Sequence, residues 1–122
     1  LQALRSIAID RSNPRKAIKQ VREKGQARID EGISVLVFPQ GTRQEYGSDG
    51  GNYARSGADI AIAAGVAIVP VSHNVGQLWP PHKLIKKPGT LVVNIGAPIS
   101  TENRNSKELT AEVRNWIETN IV

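Results

Sequence analysis

An arginine fork placed just past a glycine turn is built to grip an oxyanion. The stretch Phe38-Pro39-Gln40-Gly41-Thr42-Arg43 offers that combination. A guanidinium matches the planar oxygens of a phosphate bidentately, and a glycine lets the backbone come close to the ligand. The stretch follows Val35-Leu36-Val37, an apolar run that reads as a buried strand. A strand closing on Pro and then Gly turns sharply out of its sheet. Such a turn leaves the Gly41 and Thr42 amides and the Arg43 fork at the strand's C-terminal end, where open α/β sheets bind ligands. An ordinary strand exit with one solvated arginine has the same local sequence, so local chemistry alone leaves both readings open.

The bulk numbers narrow the class. The chain has 122 residues with 39% hydrophobic content, which suits one globular domain over residues 1–122 rather than a disordered segment. It has no cysteine and only two histidines, so neither a disulfide framework, a thiolate nucleophile nor a structural zinc site is expected. A formal charge of +5 and a pI near 9.9 suit an anionic partner. Aromatics are 4% of the chain, too few for a base-stacking platform, which argues against nucleic acid. No apolar run reaches the roughly 18 residues needed to cross a bilayer. The chain opens at Leu1 and enters a strand-like run almost at once, as a segment cut from a longer protein would.

The elements that must position the turn follow from periodicity and punctuation. Residues 6–9 read as a short strand ending at Asp10-Arg11. Asn13 followed by Pro14 opens a helix, and Ile18, Val21, Gly25 and Ile29 share one of its faces to about Glu31. Gly32 ends that helix, and residues 34–38 form a second strand. Residues 43–55, with Gly47, Gly50 and Gly51, read as a mobile loop beside the turn. Residues 56–64 are alanine-rich and predict a short helix packed close on the sheet, stopped by Gly65. Residues 66–71 predict a third strand, with Pro70 marking its end or an irregularity because a central strand needs its amide donors. Residues 73–89 look loop-like, and 90–95 predict a fourth strand. A capping box over 105–108 opens the last helix, lined by Leu109, Val113, Trp116 and Ile117. Strands alternating with helices predict an α/β fold: a mostly parallel sheet covered by helices.

Taken together, four separated segments resemble the glycerophospholipid acyltransferase family, in particular its bacterial 1-acylglycerol-3-phosphate branch. Ile7-Ala8-Ile9-Asp10-Arg11 resembles the family's second block. Phe38 to Arg43 resembles its third, usually Phe-Pro-Glu-Gly-Thr-Arg, and Ile68-Val69-Pro70-Val71 its fourth. His73-Asn74, Gly76, Trp79-Pro80 and Lys87-Pro88-Gly89-Thr90 resemble the stretch that follows in many bacterial members. Gln40 departs from the family's usual Glu, losing a charge while keeping a hydrogen-bonding carbonyl. The family's first block, a His followed five positions later by Asp, has no counterpart here: five positions after His73 is Leu78, and after His82 is Lys87. Both histidines therefore read as loop or structural residues.

The resemblance implies an incomplete acyltransferase domain, the C-terminal part that carries acceptor-binding blocks two to four. The implied reaction is O-acyl transfer from acyl-CoA or acyl carrier protein, as co-substrate and with no cofactor, to the free hydroxyl of lysophosphatidate, giving phosphatidate. General base and orienting carboxylate would be the absent His and Asp, so no catalytic residue lies in this chain, which is expected to be inactive alone. By resemblance Arg11 and Arg43 hold the phosphomonoester, with Gln40, Gly41 and Thr42 completing the acceptor site. Lys83, Lys86, Lys87 and Arg55 are further candidates for phosphate or an anionic membrane surface. The implied location is the cytoplasmic face of a bacterial inner membrane. A non-catalytic phospholipid- or phosphate-binding module is the alternative that the same residues leave open.

Overall fold

The computed structural model describes residues 5–8 and 12–122. Helix α1 (Pro14–Asp30) starts as its caps dictate: Pro14 fills the first turn, and the Asn13 side-chain oxygen accepts from the Lys16 amide at 3.2 Å. Its one buried position is Gly25, where an added Cβ would sit 2.8 Å from Ile60 Cδ1. That glycine lets α1 lie close on α2 (Ser56–Ala64), whose Ala58, Ile60 and Ala61 are buried. An Arg22–Asp59 ion pair at 2.6 Å spans the two helices at the surface. Gly65 closes α2 in the left-handed conformation, φ 68°, which a β-carbon would strain.

The sheet corrects the expectation from sequence. Strand β1 (Val71–His73) pairs antiparallel with β2 (Val93–Ile95), in the register Val71 to Ile95 and His73 to Val93. An antiparallel bridge joins Ile68 to Ile99. Among the described residues the pairing is antiparallel, not the mostly parallel sheet expected. Pro70 explains where the third strand went: it has no amide to give, so the ladder starts one residue later, and its carbonyl accepts from Gly96 at 2.9 Å. Past β1 the buried Asn74 side chain continues the pairing, accepting from the Val92 amide at 2.8 Å and donating to the Thr90 carbonyl at 3.1 Å. A short α3 (Val75–Leu78) follows, within a stretch the sequence reads as loop.

Residues 34–38 form no strand ladder, and Leu36 and Phe38 are 75% and 71% exposed. The expected buried strand fails because a strand is completed by a neighbour, which the described residues do not supply. Val37 instead reaches the first turn of α2, with Cγ1 3.3 Å from where a Gly57 Cβ would stand. Helix α4 (Ser106–Thr119) is capped by Asn105, whose side chain accepts from Glu108 N at 2.9 Å. Its Leu109 is fully buried, and its end is tied to the sheet by Ser72 Oγ and Asn94 Nδ2, both donating to the Asn120 carbonyl. Among the described residues, no helix is long and apolar enough to cross a membrane.

Candidate functional site

Two of the expected site residues, Gln40 and Gly41, share one turn, with Thr42 and Arg43 at its exit. The Gly41 amide donates to the Phe38 carbonyl at 3.0 Å, closing a β-turn with Pro39 at its second position and Gly41, φ +70°, at its fourth. Ala54 N donates to the Pro39 carbonyl at 2.8 Å, pinning the turn to the residue two before α2. Gly41, Thr42 and Arg43 are exposed, whereas Gln40 is half-buried. The Gln40 amide donates to the Gly50 carbonyl at 2.6 Å. A carboxylate there has no proton for that carbonyl, so the amide is the chemically fitted group for this contact. The departure from the family's usual Glu is thereby explained locally: Gln40 anchors the loop.

Residues 43–55 are irregular in backbone but not the dangling loop expected. Gly50 is buried, and an added Cβ would run into the Glu118 carboxylate of α4. Tyr53 is buried and donates its hydroxyl to Glu118 Oε1 at 2.5 Å. Arg114, one turn earlier on α4, lies 5.3 Å from the Tyr53 ring and donates to the Asp49 carbonyl at 2.9 Å. Burial raises the Tyr53 phenol above its ordinary range, and the hydrogen bond to Glu118 and its charge push the same way against Arg114. A neutral phenol is therefore fixed in the loop. No local pattern signals this brace, because its partners lie 65 residues apart.

Arg43 stands on a different support. Its guanidinium carbon lies 5.3 Å from the centre of the Trp79 ring, and Lys86 Nζ lies 4.3 Å from the same centre. Among the described residues Arg43 forms no ion pair. An exposed guanidinium held by a ring leaves its hydrogen-bond donors available to an anion. Trp79 is thus a positioning residue that sequence reasoning placed only within a resembling block. Its neighbourhood to a run of lysines was the available signal. Arg11, the expected second guanidinium, lies outside the described residues, as do Ile9 and Asp10. His73 ends β1, paired with Val93, and accepts from the Val75 amide at 3.3 Å, a structural role; His82 sits in an exposed turn.

Comparison with known proteins follows the same line. The acyltransferase family model matches residues 1–74. A 1-acyl-sn-glycerol-3-phosphate acyltransferase of Pseudomonas aeruginosa is 38% identical over 120 residues, covering 96% of this chain and 46% of that protein. A 1-acyl-sn-glycerol-3-phosphate acyltransferase of Cocos nucifera is 29% identical, covering 83% of this chain and 33% of that protein. The crystal structure of the 1-acyl-sn-glycerophosphate acyltransferase PlsC from Thermotoga maritima superposes with a TM-score of 0.65 at 26% identity, covering 85% of this chain and 42% of that one. The chain spans less than half the length of each of these relatives.

Proposed function

This chain belongs to the acyltransferase family, and from that premise we propose that it carries the acceptor-phosphate site of a 1-acylglycerol-3-phosphate O-acyltransferase. The observation that carries the reading is Arg43: exposed, free of ion pairs among the described residues, and held over Trp79 at the exit of a glycine turn. The acceptor is lysophosphatidate, and Arg43 grips its phosphomonoester with charge-assisted bonds of about 1.5–3 kcal/mol each. Arg11 is the second proposed guanidinium. Gly41 and Thr42 present backbone and hydroxyl beside it, and Gln40 holds the loop that shapes the turn.

In the proposed reaction the acceptor hydroxyl oxygen attacks the thioester carbon of acyl-CoA or acyl carrier protein. A C–O bond forms, the C–S bond breaks, and the hydroxyl proton passes through a base to the departing thiolate. No cysteine nucleophile is needed, in keeping with a chain that has none. This chain has no His followed five positions later by Asp, so the proposed base lies outside it. The chain alone is proposed to bind acceptor without turning it over. We place the reaction at the cytoplasmic face of a bacterial membrane.

Binding of lysophosphatidate to the chain, with lysophosphatidylcholine as the capped-phosphate control, tests the reading. Arg43→Ala is expected to weaken lysophosphatidate binding by about 10- to 100-fold, the loss of one charge-assisted contact, with Arg43→Lys restoring part of it. Equal affinity of wild type and Arg43→Ala removes Arg43 from the site. Acceptor binding with no turnover, even when His-x-x-x-x-Asp sequence from a relative is joined upstream, favours the binding-module alternative.

A further inference from the structure

The segment just past α3 has a composition unlike the rest of the surface. Residues 79–87 read Trp-Pro-Pro-His-Lys-Leu-Ile-Lys-Lys, and no Asp or Glu occurs anywhere between Asp59 and Glu102. Leu84 is 98% exposed and Ile85 80% exposed, at the centre of a lysine cluster made by Lys83, Lys86 and Lys87. Two large aliphatic side chains exposed to water at consecutive positions are costly unless something apolar receives them.

The loop is stapled in place rather than loose. The Lys87 amide donates to the Leu78 carbonyl at 2.6 Å, closing its base. The Trp79 indole donates to the Lys83 carbonyl at 2.9 Å, and Lys86 lies over the same ring. Gly89 allows the base to close, because a Cβ there would run into the Leu78 side chain. The exposed indole thus ties the loop together, while its other cation contact is Arg43.

We propose that residues 79–87 are a membrane-docking loop for an anionic lipid bilayer. Leu84 and Ile85 enter the boundary between headgroups and acyl chains. Lys83, Lys86 and Lys87 meet lipid phosphates, and Trp79 lies at the interface, its exposed ring among the headgroups while its N–H stays on the Lys83 carbonyl. The charge is complementary: three cations within five residues, with no carboxylate nearby in sequence to repel the surface. Through the shared indole, docking sets Arg43 at the level of the headgroups. That last step rests on the acceptor reading above; the docking itself does not.

The test is sedimentation of the chain with vesicles of phosphatidylcholine alone or mixed with phosphatidylglycerol, with no lysophosphatidate present. Binding to the mixed vesicles is expected, weakening at high salt. Leu84→Ser with Ile85→Ser is expected to weaken it at least about tenfold, and each of Lys83→Gln, Lys86→Gln and Lys87→Gln by about fivefold. Circular dichroism checks that the fold is kept, as the exposure of both aliphatic residues leads one to expect. Three results overturn the proposal: no binding by wild type, equal binding to neutral vesicles, or binding that survives the Leu84/Ile85 change. If lysophosphatidate binding still depends on Arg43 in that event, the docking loop falls and the acceptor site stands.

Discussion

Replacing Gln40 by a glutamate exchanges one amide nitrogen for an oxygen and reverses one contact. The side chain would face the Gly50 carbonyl, now 2.6 Å from the Gln40 amide, with an acceptor in place of a donor. Losing a net hydrogen bond costs about 1 kcal/mol, and leaving the carbonyl of a buried glycine unpaired adds about 1 more. A deficit of about 2 kcal/mol is equivalent to a carboxyl pKa raised by about 1.5 units, because one unit is about 1.4 kcal/mol. The sign follows from which form donates: the protonated carboxyl of the variant restores the bond to Gly50, and the carboxylate does not. The variant's folded pKa therefore lies above the unfolded value of about 4.3. The stability this bond contributes is present below that pH and is lost as pH rises through about 6. Urea unfolding of wild type and Gln40→Glu at a series of pH values measures the gap directly. It should be under about 0.5 kcal/mol near pH 4 and about 2 kcal/mol at pH 7. A gap that does not change with pH, or no gap at all, refutes the assignment of Gln40 as the donor that holds the loop.

Tyr53→Phe removes the hydroxyl bonded to Glu118 and should cost about 1.5 kcal/mol at neutral pH. Because burial raises the wild-type phenol, wild type should also lose stability as pH climbs above about 10, a slope absent in Tyr53→Phe; alkaline urea unfolding of both decides. Gly25→Leu should cost about 1–3 kcal/mol by forcing α1 off Ile60, already 2.8 Å from the added Cβ position, and its urea midpoint checks this. Gly25→Ala should fall between that variant and wild type.

The three longer helices were legible because their signals are local, whereas the four-residue α3 was read as loop. Asn13-Pro14, Gly65 and Asn105 mark ends by their own chemistry, and the structure puts helix boundaries there. The strands were not, since a strand's existence depends on a partner. Val35-Leu36-Val37 has the composition of a buried strand but no ladder, while β1 begins only after Pro70. At the site, the turn itself was readable from Pro39 and Gly41. What holds it was not: Tyr53 to Glu118, Arg114 to Asp49 and Arg43 over Trp79 join residues far apart in the chain, and no periodicity reports them.

That α4 braces the loop beside Arg43 has a consequence for how the protein is born. Tyr53 meets its partner Glu118 across 65 residues, so a ribosome adding about 5–20 residues per second makes the loop wait roughly 3 to 13 seconds for its brace. For that interval the glycines of residues 47–51 have the nearby Gln40 contact but lack the brace from Glu118 and Arg114. Stalling translation ahead of the codon for Arg114 should therefore leave this loop open to proteases, while α1, already emerged and capped within itself, resists them.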